Sequence, residues 1–212
     1  MIARLIARDL RRGSTGAAWV PIAFFLLVVA MMPFAIGPDR ELLTRVGPGV
    51  LWIAALTAAL QPMERLIEPD RADGVLDQLV LHGLAEESIA LCKIVAHWLT
   101  FGPLLLLAAL PGAALLTMDG ASLARAEVAL AVGTPGLAAL AVAIAAVTAG
   151  FARAGSLAAL LLFPLAVPLL IFGAAAAAGA SSSALLLEGA VSLLLTAGAP
   201  FVAGAAMRAA RT

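Results

Sequence analysis

The sequence predicts an all-α integral membrane protein with six transmembrane helices, an N-terminal interfacial helix and a short helix between spans two and three. Of its 212 residues, 63% are hydrophobic and 12% are charged, whereas soluble domains carry about 25% charged residues. The apolar residues fall into six segments, each near the ~20 residues that a helical span needs. The alternating pattern of membrane β-strands is absent. Residues 1–212 are therefore predicted to form a single transmembrane domain.

Residues 1–12 predict the interfacial helix, because apolar and basic residues occupy opposite helical faces. Such a helix lies along the membrane surface with its cationic face toward anionic headgroups. The charged start of a signal peptide is the alternative, but the apolar run that follows is too long for a typical signal core. The apolar face holds Ile2, Leu5, Ile6 and Leu10, and the cationic face holds Arg4, Arg8, Arg11 and Arg12.

Six predicted spans follow this helix along the chain. The second is short, and Pro103 interrupts the third. Two glutamates, Glu127 and Glu188, lie near one end of their spans, where we expect them to reach interfacial water. The spans are predicted at Ala17–Ile36, Val46–Met63, Ile89–Leu110, Glu127–Phe151, Leu157–Ala178 and Ala184–Met207.

The distribution of basic residues predicts the orientation of the spans, since Lys and Arg are enriched in cytoplasmic segments. With the N-terminus in the cytoplasm, ten basic residues lie inside and three lie outside. Both termini are then cytoplasmic, and so is the segment 64–88. The inner set is Arg4, Arg8, Arg11, Arg12, Arg65, Arg71, Lys93, Arg153, Arg208 and Arg211, and the outer set is Arg40, Arg45 and Arg125.

The segment 64–88 is the polar exception in this apolar chain. Its apolar residues recur at helical spacing opposite acidic and amide side chains, which predicts an amphipathic helix over Asp73–Leu81. One interpretation is a docking surface for a soluble partner, with Val75, Leu76 and Leu79 seated in a groove of that partner. The alternative is a solvated loop whose short helix rests on lipid headgroups. The candidate docking residues are Asp73, Val75, Leu76, Asp77, Leu79 and Val80.

Several kinds of functional site are excluded by the residues themselves. The only lysine, Lys93, lies in LCKIV, so the chain has no GxxxxGK[ST] phosphate-binding loop and ATP hydrolysis must belong to another subunit. No catalytic constellation assembles, and the single cysteine, Cys92, allows no metal or redox pair. Of the two histidines, His97 is interpreted as hydrogen-bonded within the bundle rather than as a haem ligand. A net charge of zero gives no indication of nucleic-acid binding.

Five stretches together resemble the CcmB family of cytochrome c maturation, also called haem exporter protein B. The resemblance runs from the first residues to the last span in one register. The stretches are PFAIGPDRELLTRVGPGVLWIAAL (Pro33–Leu56), MERLIEPDRADGVLDQLVL (Met63–Leu81), KIVAHW (Lys93–Trp98), GTP (Gly133–Pro135) and PLAVPLLIFG (Pro164–Gly173).

The resemblance implies a permease subunit of an ABC-type complex in the bacterial inner membrane, similar to type-2 ABC exporters. The segment between spans two and three would be its coupling helix. The implied partners are a cytoplasmic ABC ATPase, a haem-handling membrane subunit, a small single-span subunit and a haem chaperone, with two copies of the permease. ATP hydrolysis on the ATPase would drive release of the haem-loaded periplasmic chaperone, export of haem, or both. The permease itself would be non-catalytic and bind no cofactor directly.

Two other classes of protein remain as alternatives. A secondary transporter of a small apolar or amphipathic substrate would need an inverted repeat and polar groups at the membrane midplane. An intramembrane enzyme would need a catalytic constellation near the bilayer. The sequence displays neither set of features.

Overall fold

The computed structural model describes residues 1–14, 19–61, 63–151 and 154–210. Within these ranges the regular structure is helical, with no β-strand. A short 3₁₀ turn, Met63–Arg65, lies between the third and fourth helices. The α-helices are α1 (Ile2–Ser14), α2 (Trp19–Ile36), α3 (Arg40–Leu60), α4 (Glu68–Ala72), α5 (Val75–Leu81), α6 (Glu86–Leu115), α7 (Gly120–Thr148), α8 (Ala154–Ala178) and α9 (Ser182–Ala209).

Six of these helices, α2, α3 and α6 to α9, are long and apolar enough to cross a membrane. This result confirms the predicted class, an all-α integral membrane protein. The candidate span that begins with α3 at Arg40 extends as far as Ala72, the last residue of α4. Three residues in the predictions, Ala17, Arg153 and Arg211, lie outside the described residues.

Five spans, α3 and α6 to α9, begin earlier than predicted, and in α3, α6 and α7 the additional residues include charged or polar side chains. The helix α3 starts at Arg40 rather than Val46, and the Asp39 side chain caps it by accepting a hydrogen bond from Leu42 N at 3.0 Å. The helix α6 starts at Glu86 rather than Ile89 and continues through Pro103 and Pro111 to Leu115. The polar ends of these helices carry no hydropathy signal, which is why the sequence pattern underestimates their length.

The helix α7 is the centre of the bundle. Its most apolar window is 78% buried, against 22% for the corresponding windows of α2 and α9. It packs against α3, α6, α8 and α9. Alanine and glycine supply much of its buried surface, and these small residues allow neighbouring helices to approach closely.

The two ends of the bundle differ in chemistry. At one end, which we call the charged end, α1 packs against α6, and Arg208 of α9 forms ion pairs with Glu86 and Glu87 of α6. At the opposite end, the Thr44 hydroxyl donates to the Thr117 carbonyl at 2.9 Å. The helix α1 and the C-terminal end of α9 therefore lie at the same end of the bundle, and both contact α6.

Candidate functional site

The segment 64–88 lies at the charged end and contains two short helices rather than one. Gly74, with φ +69°, and Gly83, with φ +84°, adopt the left-handed conformation that favours glycine, and they bracket α5. The helix predicted over Asp73–Leu81 therefore begins at Val75. Asp73 is the C-terminal cap of α4 instead.

The two faces of α5 have different surroundings. Leu76 is 6% exposed and belongs to a buried cluster of this chain that includes Ile67 and Met207. Leu76 is thus unavailable as an anchor in a partner's groove, which corrects the role expected for it. Leu81, in contrast, is 85% exposed. Of the remaining residues, Asp73, Asp77 and Gln78 are exposed, and Val75, Leu79 and Val80 are half-buried.

Leu81 is absent from the docking residues that the sequence predicts. Helical periodicity could have placed Leu81 on the exposed face of the helix, because Leu81 lies one helical turn after Asp77 and on the same face.

The arginines predicted to face lipid headgroups divide into two pairs. Arg4 and Arg11 are exposed. Arg8 and Arg12 instead turn toward the chain and bind Asp70 of α4, with nitrogen–oxygen distances of 2.5 and 2.7 Å. Arg8 is partly buried, whereas Arg12 remains 54% exposed, so contact of these arginines with lipid headgroups stays a prediction.

Asp70 is the centre of a charge cluster that sequence reasoning missed. Only 3% of it is exposed, and besides the two arginines it accepts a hydrogen bond from Lys93 Nζ at 2.7 Å. Lys93 is 6% exposed and also lies 3.5 Å from Asp9 Oδ2. The signal in the sequence was Lys93 itself, because a lysine among apolar residues requires a nearby carboxylate.

The cluster also stabilises the charge on α1. Arg8 donates from Nε to Asp9 Oδ1 at 2.8 Å and from Nη2 to Asp70 Oδ2. Burial alone would lower the pKa of Arg8, but the hydrogen bonds and negative charges of Asp9 and Asp70 outweigh burial and raise that pKa above its ordinary value. The guanidinium is therefore charged at any physiological pH.

One hydrogen bond and one further ion pair connect elements at the charged end. Glu68 of α4 pairs with Arg71 and accepts a hydrogen bond at 2.8 Å from Gly150 N in the turn between α7 and α8. Arg208 of α9 lies 2.5 Å from Glu87 of α6. The segment 64–88 and the start of α6 thus contact α1, α9 and the α7–α8 turn through polar groups.

A cavity of about 360 Å³ adjoins the Asp70 cluster. Arg12 of α1 lines it, together with Lys93, His97, Thr100 and Phe101 of α6. His97 is buried with its ring centroid 4.8 Å from that of Phe101, and its Nε2 has no hydrogen-bond partner among the described residues, which corrects the expectation that the bundle satisfies it. In the described part of the chain, no group of three or more His, Cys, Asp or Glu side chains could hold a metal ion.

The two span glutamates are more enclosed than predicted. Glu188 has no exposed surface, and within the ranges that the structure describes neither of its carboxyl oxygens has a hydrogen-bond partner. Glu127 is partly exposed, but its Oε1 is buried and lacks a partner in the same ranges. Contact of Glu188 with interfacial water is therefore ruled out in this conformation.

Comparison with known proteins identifies the family. The family model described as "CcmB protein" matches residues 1–210. The chain is 41% identical over 211 residues to "Heme exporter protein B" of Paracoccus denitrificans, covering 96% of this chain and 97% of that protein. It is 42% identical over 172 residues to the protein of the same name from Rhodobacter capsulatus, covering 80% and 79% of the two chains. A third relative of that name, from Haemophilus influenzae, is 45% identical over 156 residues, or 73% and 70% of the two chains. The chain belongs to the CcmB family.

Proposed function

We propose that this chain is the membrane permease subunit of an ABC-type complex that exports haem or releases a haem-loaded periplasmic chaperone. The name of the relatives, "Heme exporter protein B", supports haem as the cargo. The six candidate spans support a membrane role. The chain hydrolyses no ATP in this proposal, because its single lysine, Lys93, is buried in an ion-pair cluster and the sequence has no phosphate-binding loop.

The proposed complex contains partners with separate tasks. A cytoplasmic ABC ATPase supplies the energy, a haem-handling membrane subunit and a small single-span subunit complete the membrane part, and a haem chaperone receives the cargo. Two copies of the permease pair with the ATPase subunits. The haem is cargo of the complex, and this chain binds no cofactor of its own.

We further propose that the charged end faces the cytoplasm in a bacterial inner membrane. The excess of basic residues supports this orientation, since ten of thirteen are assigned to that side. The segment 64–88 and both termini are then cytoplasmic, where an ATPase can reach them. Asp39 and Asp119, which cap α3 and α7, are periplasmic.

The observation that carries the proposal is the exposed surface of α5. The 85% exposed side chain of Leu81 extends from a helix that lies outside the spans and is fixed to the bundle by Leu76 on its other face. The proposed ATPase-docking surface consists of Asp73, Asp77, Gln78 and Leu81, flanked by Val75, Leu79 and Val80. Helix-in-groove recognition of this kind concentrates binding energy in a few apolar anchors.

The test is reconstitution of the assembled complex in proteoliposomes. We expect the chain to co-purify with the ATPase and ATP to drive release of the haem-loaded chaperone, with no release when the chain is omitted. A control sample contains this chain alone. Cargo movement by the chain alone, without ATPase or ATP, would instead identify a secondary transporter.

A further inference from the structure

We propose that Asp70 is a positioning residue that transmits movement of the segment 64–88 to α1 and α6. The inference rests on the proposed function, since the movement would begin where the ATPase docks. It assigns the transmission to one carboxylate rather than to the docking surface as a whole.

The geometry singles out Asp70 because both of its oxygens hold cations from other elements. Oδ1 accepts from Arg12 of α1 at 2.7 Å. Oδ2 accepts from Arg8 of α1 at 2.5 Å and from Lys93 of α6 at 2.7 Å. One side chain on α4 therefore joins the segment to an interfacial helix and to a spanning helix.

Burial makes this connection stiffer than the other ion pairs at the charged end. Asp70 and Lys93 are 3% and 6% exposed, so solvent screens their attraction weakly, and separating them would leave an uncompensated charge in the interior. The Arg208–Glu87 pair is more accessible, with side chains 47% and 29% exposed, and pairs of that kind contribute little. The connection of α4 to α1 and α6 is therefore stiffer than the connection of α6 to α9.

The surroundings of Asp70 leave room for such a movement. The cavity of about 360 Å³ is lined by Asp70 together with Arg12 and Lys93, so the cluster borders open space instead of a close-packed core. Gly74 separates α4 from α5, and a side-chain carbon added there would meet no described atom within 4 Å, so a change at α5 can rotate α4 about this residue. A displaced cluster can enter the cavity with its ion pairs intact.

The experiment compares Asp70→Asn with Asp9→Asn in the complete complex. Both changes remove one negative charge from the same cluster, but the ion pairs of Asp9 join α1 to Lys93 and do not involve α4. The measured quantity is the ratio of chaperone released to ATP hydrolysed. We expect Asp70→Asn to keep the ATPase bound and active while this ratio falls at least about fivefold, the lower range for coupling between distant sites. Asp9→Asn should retain the ratio.

A second measurement follows α1 directly. An environment-sensitive fluorophore on Ala7→Cys, an exposed position of α1, is read in a Cys92→Ala background with and without ATP. We expect the ATP-dependent change in emission to disappear in Asp70→Asn. If Asp70→Asn fails to fold, the double variant Arg8→Gln, Arg12→Gln replaces it, because the two changes together remove both ion pairs of Asp70 with α1 while the Lys93 contact remains.

The outcomes separate this inference from the proposed function. A normal release ratio and a normal fluorophore response in Asp70→Asn, or in the Arg8→Gln, Arg12→Gln double variant where it replaces Asp70→Asn, would overturn the role of Asp70 while leaving the permease assignment intact. Equal loss in Asp9→Asn would also overturn it, since cluster charge and not the connection to α4 would then matter. Failure of the unmodified chain to bind the ATPase would refute both.

Discussion

Trp52 fills the centre of the bundle because two glycines provide space for its ring. A side-chain carbon on Gly133 of α7 would overlap the Trp52 ring and come within 2.6 Å of Glu188 Oε1. One on Gly173 of α8 would also overlap the ring. Trp52 and Glu188 have no exposed surface, so neither side chain can move into solvent to relieve the contact.

Gly133→Ala should therefore destabilise the chain, while Gly198→Ala should not. Overpacking of a full core costs about 1–3 kcal/mol of the free energy of unfolding. A side-chain carbon on Gly198 would meet nothing within 4 Å in the described part of the chain, and alanine is the better helix former. The measurement is thermal unfolding of the two purified variants in detergent. Equal melting temperatures would show that the Trp52 site is loosely packed.

At the residue scale, the sequence predicted which helical face the charged residues occupy, but it did not predict which residues they contact. Arg8 and Arg12 were correctly placed on the polar face of a helix, but their partner, Asp70, is about sixty positions away along the chain. Periodicity describes one helix at a time and carries no information on which distant carboxylate that helix meets. The position of Lys93 among apolar residues was the available signal for such a partner.

At the scale of the element, α5 is a short helix with one face on its own bundle and one face in solvent. The amphipathic pattern correctly predicted a helix in this region, within two residues of its start. The pattern could not reveal which protein covers the apolar face, because burial against the same chain and burial against a partner select the same residues. The structure assigns Leu76 to the chain's own core.

Substitution by aspartate should have different effects on the two faces of α5, lowering stability on the buried face and ATPase binding on the exposed face. Leu76→Asp removes an apolar contact worth ~1.5–3 kcal/mol and buries a charge, so we expect low yield and a lower melting temperature. Leu81→Asp, at a position 85% exposed, should leave the melting temperature unchanged and weaken co-purification of the ATPase. Ala121→Asp, at an exposed position of the opposite end, is the matched control for added charge. Full ATPase recovery with Leu81→Asp would argue against docking at α5.

At the scale of the whole molecule, the six spans were predictable because each is a long apolar segment. A helix must be long and apolar to cross the hydrocarbon core of a bilayer, so this signal is visible in the sequence itself. The packing of the spans was not predictable in the same way. Nothing in hydropathy distinguishes α7, the buried centre, from α2, which is largely exposed, since both are strongly apolar. Their difference lies in the small residues of α7 that admit neighbours on most sides.

The proposed orientation makes a direct prediction about the two ends of the molecule. Reporter fusions at Asp39 and Asp119 should give a periplasmic signal, and fusions at Asp73 and Arg211 should give a cytoplasmic one. The physical reason is the concentration of basic residues at the charged end. A cytoplasmic signal at Asp39 would reverse the orientation and leave α5 on the wrong side for an ATPase.

The central claim is that the exposed face of α5 docks the ATPase, and site-specific photo-crosslinking tests it most directly. A benzophenone amino acid replaces Leu81 in the assembled complex, and the same replacement at Ala121 is the control at the opposite end. We expect an ATPase adduct from position 81 and none from position 121. An ATPase that co-purifies with the chain but forms no adduct from position 81 would contradict the claim.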